Sequence, residues 1–292
     1  MSQLRTVNRV VTAHRQKEGG GFVVRRPYPT AGLSLVDPFL LLDEMGPVTY
    51  RPGEAVGAPD HPHRGFETVT YLLEGESEHE DSAGHAGTLR PGDVQWMTAG
   101  SGVVHSELPS PRIREQGGRV HGFQVWVNLP RRDKLMAPRY QEIAAAAIPV
   151  GRSADGLAEA RVVAGEALGA RAVIQTRTPI FFQDWTLRPG AQVALALPAE
   201  HQASAYVFGG EALVAGTRVS DGQLALLGPG DAVELGAATR ASGPARLLLL
   251  SGVPLREPVA RYGPFVMNTP EEIHQAILDF QAGRMGEIRR SP

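Results

Sequence analysis

The sequence predicts an all-β protein built as two tandem β-barrels, and three observations carry that prediction. Glycine (34) and proline (23) make up about a fifth of the 292 residues, well above the typical ~12%. They punctuate short runs whose apolar residues alternate with period two, the pattern of a sheet with one buried face. Two stretches also read as distant copies: LEGESEH (73–79) with RPGDVQWM (90–97), and FGGEALV (208–214) with GPGDAVEL (228–235), where Gly75 to Gly92 spans 17 residues and Gly210 to Gly230 spans 20. A hydrophobic content of 42% lets each of two domains bury a core.

Taken in order, strands are expected at 67–73 (ETVTYLL), 93–98 (DVQWMT), 123–128 (FQVWVN), 181–187 (FFQDWTL), 205–208 (AYVF) and 246–250 (RLLLL). Most are bounded by Gly, Pro, Asp or Asn turn signals. One helix stands out near the C-terminus. Thr269 can N-cap it, Pro270 suits its first position, Glu271 and Glu272 complement its dipole, and Gly283 can end it. Ile273, Ala276, Ile277 and Phe280 form one apolar stripe, so the helix packs on a sheet. No strand pattern is visible in the polar, alanine-rich stretch 130–156. It supplies the join, giving an N-terminal barrel over 1–135 and a C-terminal barrel over 136–292 that ends in the helix.

Charge and composition exclude several classes of function. Lys plus Arg total 29 against 31 Asp plus Glu, a net charge of −2, so no basic field attracts nucleic acid or an anionic membrane. The early cluster Arg5, Arg9, Arg15, Lys17, Arg25 and Arg26 lacks interleaved aromatics, and no direct nucleic-acid contact is expected from it. The first twenty residues hold no apolar run of the ~7–15 residues a secretory signal needs, and the longest aliphatic runs, 247–250 and 144–148, fall far short of a membrane helix. The expectation is a cytoplasmic protein with no membrane partner. A monomer is expected because two fused barrels can cover each other's faces. With no cysteine, a metal must be held by His and carboxylates.

The chemistry concentrates in His61-Pro62-His63 and, about forty residues later, His105-Ser106-Glu107. Side chains alternate along a strand, so His61 and His63 share a face, as do His105 and Glu107. Two such pairs on facing strands converge into an N₃O set suited to Fe(II), Mn(II), Cu(II), Ni(II) or Zn(II), with two open positions on an octahedral ion. Glu67 keeps the parity of His61 and His63 and stands as an alternative ligand to Glu107.

The other candidates have plainer readings. His79 and His85 fall in an acidic turn, ESEHEDSAGHAG, and His201 reads as a surface or loop residue. His121 has a structural or supporting role beside a strand, and Asp43 and Glu44 sit in a turn after a buried strand. The run Glu74, Glu76, Glu78, Glu80 and Asp81 reads as a solvated edge. Aligning the two repeats sets Ala196 and Pro198 against His61 and His63, and Gly243 and Ala245 against His105 and Glu107, which leaves the second barrel no ligand set.

The spacing of Gly57, His61, His63, Glu67 and Gly75, then Gly92, Asp93 and His105, resembles the two cupin motifs, with one residue too many between Glu67 and Gly75. The wider text, DPFLLLDEMGP (37–47), HPHRGFETVTYLLEGE (61–76), HEDSAGHAGTLRPGDVQWMTAGSGVVHSE (79–107) and WVNLP (126–130), resembles the pirin family; GPFVMNTPEEIHQAI (263–277) extends the likeness loosely into the second half. The resemblance implies two jelly-roll-like cupin barrels in a monomer, with one metal, usually iron, in the N-terminal barrel; Mn, Cu, Ni, Co and Zn remain alternatives. It places the ligands on His61, His63, His105 and Glu107.

Bacterial pirin relatives are associated with quercetin 2,3-dioxygenase activity, and animal pirins with nuclear transcriptional regulation. The first implies a flavonol and O₂ as substrates, carbon monoxide as a product, and Glu107 (or Glu67) as proton acceptor. Phe39, Phe66, Trp96 and Met97 then supply apolar wall. The second implies a protein partner, a metal that acts as a redox element, and a narrow or blocked barrel mouth.

Overall fold

A computed structural model describes residues 3–18 and 20–290. Among them the regular structure is almost entirely strand, with an α-helix at Pro270–Gln281 and a shorter one at Pro111–Gln116. The chain forms two compact units. Each is a seven-stranded antiparallel sheet with a four-stranded one.

In the first barrel the large sheet runs, from one edge, Arg139–Ile143, Val94–Thr98, Phe66–Glu74, Gly118–Asn128, Phe39–Tyr50, Phe22–Tyr28 and His14–Glu18; the small sheet runs Ala58–His63, Val103–Pro109, Ser77–Asp81 and Ala86–Leu89. In the second barrel the large sheet runs Val7–Thr12, Gln223–Leu227, Gln202–Gly209, Ala245–Gly252, Ile180–Leu187, Ala158–Ala164 and Val150–Arg152; the small sheet runs Gln192–Ala196, Ala232–Gly236, Glu211–Val214 and Thr217–Ser220. The orders correspond strand for strand. All six expected strands are present, each within a few residues of its expected ends.

The units are interleaved. One holds Arg15–Arg26, Phe39–Ala145 and the chain from Leu255 onward; the other holds the chain up to His14, Pro27–Pro38 and Ala146–Pro254. A single join between 135 and 136 does not describe this, because each large sheet takes its outer strand from the segment preceding the other barrel's strands: Arg139–Ile143 lines the edge beside Val94–Thr98, and Val7–Thr12 the edge beside Gln223–Leu227. The stretch 130–156, which shows no strand pattern in sequence, therefore contains strands Arg139–Ile143 and Val150–Arg152. Half-exposed edge strands lack the apolar alternation that marks the interior ones.

The C-terminal helix belongs to the unit with Phe39–Ala145. Its start is a capping box, in which Thr269 accepts from the Glu272 backbone and Glu272 reaches back to the Thr269 N–H. Ile273 and Ala276 bury against Phe265, Met267 and Val104, whereas Phe280 stays 40% exposed. Nearby, Lys134 is buried, and its ammonium donates to the carbonyls of Gly65 and Val266 and to Asn128 Oδ1 at 2.7–3.1 Å. Burial pulls this amine down to about 8. The contact pins the turn that follows His63.

The early basic cluster is dispersed. Arg5 is buried and bonds the carbonyls of Gly228 and Pro198, while Arg25 and Arg26 pair with Glu44 and Asp43. Those two carboxylates lie inside the long strand Phe39–Tyr50 and not in a turn after it, because each has a guanidinium partner that makes burial tolerable. No described helix is long and apolar enough to cross a membrane.

Candidate metal centre

The expected ligands sit on two adjacent strands of the first barrel's small sheet. Ala58–His63 and Val103–Pro109 pair antiparallel with His61 directly opposite His105. Strand alternation then puts His63 and Glu107 on the same face as that pair. Ring centroids are 4.4 Å apart for His61 and His105, 4.7 Å for His61 and His63, and 4.9 Å for His63 and His105. One nitrogen from each ring lies within 4.8 Å of the other two.

The protonation states suit metal binding. The Pro59 carbonyl oxygen is 2.7 Å from His61 Nδ1, so Nδ1 carries the proton and Nε2 presents a lone pair. That Nε2 stands 3.0 Å from His63 Nε2. Burial, reinforced by His105 and His61, holds His63 well below the usual histidine range; burial, then His61 and His79, does the same for His105. Both rings are neutral at pH 7, and neither nitrogen of His105 has a hydrogen-bond partner among the described residues. Three converging imidazoles, one of them buried with no partner for either nitrogen, form a donor set able to hold a divalent transition ion, and the residues fit such a group.

Glu107 borders the three histidines. Its Oε2 is 3.9 Å from His105 Nε2, and its Oε1 accepts from the Thr70 hydroxyl at 2.6 Å. Glu67 does not share this place. Parity counting fails between His63 and Glu67 because Gly65, at φ 88°, breaks the strand. A Cβ there would run into the Val266 carbonyl. Glu67 is instead buried on the opposite face from Thr70, accepting from Thr98 Oγ1 at 2.6 Å.

His61, His63 and Glu107 open onto a cavity of about 570 Å³ with a largely hydrocarbon wall that includes Leu41, Met45, Leu72, Val120 and Trp126. Trp126 meets the His63 ring edge-on at 5.3 Å, and the Arg261 guanidinium lies 4.6 Å above the indole. Of the aromatics expected as wall, Phe66 touches His63 edge-on at 5.1 Å. Like Phe39, Trp96 and Met97, it is buried and lies outside the cavity lining. Sequence reasoning passed over Thr70, Gln124 and Trp126. The available signal was polar residues on the inward face of an otherwise apolar alternation.

Two other histidines, His79 and His201, are more buried than expected, and His121 has the structural role expected of it. His79 lies in strand Ser77–Asp81, and its Nε2 is 2.7 Å from Glu142 Oε1 on the edge strand. His121 contacts Glu44 at 2.9 Å, a structural role. His201 is buried in the second barrel, 3.2 Å from Ser251 Oγ and edge-on to Phe181. His85 is half exposed in its turn and bonded to Asp81 at 2.9 Å. Asp81 is itself buried, not part of a solvated edge, because it also accepts from the backbone of Ala83 and His85.

The second barrel has a different interior. On the inner face of its corresponding small-sheet strands lie Leu195 and Val233 with Leu197 and Leu235, all within one hydrocarbon core. The repeat alignment through the two Gly-Asp pairs is displaced. Gly92 and Gly222 both donate to the strand they turn from, at Leu72 and Val207, so Gly222 and not Gly230 is the counterpart of Gly92. Ala245 consequently opens the next strand rather than standing where Glu107 does.

Residues 21–127 match the Pirin family model, and residues 182–286 match that of the pirin C-terminal cupin domain. The chain is 43% identical to human pirin over 98% of its length and 96% of that protein. It is 45% identical to a Pseudomonas aeruginosa protein provisionally named a quercetin 2,3-dioxygenase, over 93% of this chain and 95% of the other. The crystal structure of a quercetin 2,3-dioxygenase from Acinetobacter baumannii superposes with a TM-score of 0.90 at 38% identity, covering 98% of this chain and 100% of that one.

Proposed function

The chain belongs to the pirin family, and from that premise we propose that it is a metal-dependent dioxygenase that cleaves flavonols such as quercetin with O₂ and releases carbon monoxide. The observation that carries the reading is the placement of three converging histidines beside Glu107, with His61, His63 and Glu107 at the wall of a cavity of about 570 Å³. That volume lies within the ~300–1,000 Å³ of small-molecule sites.

His61, His63, His105 and Glu107 would hold one divalent ion, iron in this reading. When bound, it supplies Lewis-acid and one-electron chemistry to the substrate and O₂. The chain's own residues do the rest. Glu107 accepts the proton of the flavonol 3-hydroxyl. The hydrocarbon wall excludes water, and the Trp126 ring at that wall beside His63 favours a flat aromatic ligand. A regulatory alternative, in which the metal only tunes a protein-binding surface, calls for a narrow or blocked mouth and for partner affinity that changes between Fe(II) and Fe(III).

The test is O₂ uptake by Fe(II)-loaded protein with quercetin, followed alongside loss of flavonol absorbance and release of carbon monoxide. Turnover is expected, and it should vanish in His61→Ala. Metal-loaded protein that consumes no O₂ with any flavonol tested would remove the reading.

A further inference from the structure

We propose that Thr70, with Gln124 beside it, is a positioning residue that holds Oε1 of Glu107 to the protein and so presents Oε2, the oxygen on the side of His105, to a metal. This rests on the metal site described above and concerns how its carboxylate is presented. Thr70 and Gln124 are direct partners in register on Phe66–Glu74 and Gly118–Asn128 of the large sheet, whereas Glu107 projects from the small sheet. Their contact therefore crosses the barrel interior.

Thr70 is buried, and its hydroxyl oxygen lies 2.6 Å from Glu107 Oε1 and 2.8 Å from Gln124 Oε1. A hydroxyl has one hydrogen to donate, and the charged carboxylate is the stronger acceptor. Gln124 Nε2 reaches Glu107 Oε2 only at 3.4 Å, long enough to leave that oxygen weakly engaged. The oxygen held tightly is Oε1, and Oε2 is the one 3.9 Å from His105 Nε2. Oε1 keeps a second lone pair while it accepts from Thr70, but the short bond fixes the rotation of the carboxylate with Oε2 on the side of His105. A carboxylate bound through one oxygen occupies one coordination position instead of two, which preserves the open positions that substrate and O₂ require.

The second barrel supports this by contrast. With Gly210 in the place of Gly75, Ala205 stands where Thr70 does, and its register partner is Leu249. Both lie in the hydrocarbon core of a barrel whose inner face carries no counterpart of Glu107. The polar pair accompanies the carboxylate and is not a general requirement of this strand pairing.

The experiment uses the full-length protein loaded with Co(II), with azide as a small anion that competes for open positions. Thr70→Val keeps the branched shape and removes the donor. It is expected to bind one Co(II) per chain like the parent, but about 10-fold more weakly, the scale of losing a hydrogen bond to a metal ligand, and with an altered visible spectrum and reduced azide affinity. Thr70→Ser should restore the parent spectrum and affinity. In a Glu107→Gln background, Thr70→Val should change nothing further. Three results would overturn the proposal: Thr70→Val matching the parent in every readout, the same loss appearing in the Glu107→Gln background, or a parent that binds no cobalt. None of these readouts uses a flavonol or O₂, so absent quercetin turnover would remove the dioxygenase reading and leave this inference standing.

Discussion

The two barrels share one strand order and differ in what their inner faces carry. In the first, the small sheet presents His61, His63, His105 and Glu107 across from Thr70 and Gln124. In the second, the corresponding strands present Leu195, Leu197, Val233 and Leu235 across from Ala205 and Leu249. Backbone pairing builds both interiors equally well, so the scaffold does not demand the polar cluster. The first barrel carries unpartnered ring nitrogens at a cost in stability, while the second fills the corresponding interior positions with hydrocarbon.

The comparison can be broken or sharpened by substitution. The largest effect is expected from Trp185→Ala, which empties the centre of the second barrel where the indole is fully buried. A loss of about 3–5 kcal/mol should appear in denaturant unfolding, with metal stoichiometry unchanged. Loss of metal would show that the barrels do not divide their tasks this way.

A second test uses pH. Lys134 has a folded pKa of about 8 against a usual value near 10.5, so the unfolded chain binds the proton more tightly. Its contribution is therefore least favourable below pH 8 and grows as pH rises from 8 toward 10.5, by about 3 kcal/mol at most at ~1.4 kcal/mol per unit. Stability measured against Lys134→Met across that window should show this rise, and a flat difference would contradict it.

His105→Leu makes the first barrel resemble the second. Metal binding should fall away while the metal-free protein gains about 1–3 kcal/mol, because a buried ring with two unpartnered nitrogens is replaced by hydrocarbon. A metal-free variant less stable than its parent would mean that those nitrogens are satisfied in solution. The smallest effect is expected at Arg171, whose pair with Glu166 in the second barrel is largely exposed. Arg171→Ala should move stability by less than about 0.5 kcal/mol.

The convergence of the candidate ligands was legible because a two-residue spacing on a strand settles which side chains share a face. His61 with His63, and His105 with Glu107, needed only that period and a neighbouring strand. The helix was equally legible, since Thr269, Pro270 and Glu272 are local signals read without tertiary information. What escaped the sequence depends on long-range partners. Arg139–Ile143 and Val7–Thr12 become strands by completing sheet edges, and nothing in their own pattern says which sheet. Asp43 and Glu44 are buried because Arg25 and Arg26 lie on a strand of the same sheet. Glu67 stands as an alternative to Glu107 in sequence only because the parity count crosses Gly65, whose positive φ resets it.

The most direct test of the account is an anomalous diffraction measurement at the iron edge on crystals grown with Fe(II). One peak per chain is expected, bounded by His61, His63, His105 and Glu107 Oε2, with none inside the barrel that holds Leu195 and Val233. A peak elsewhere, or a second peak within that hydrocarbon core, would contradict the division of the molecule into one metal-bearing barrel and one whose corresponding interior is hydrocarbon.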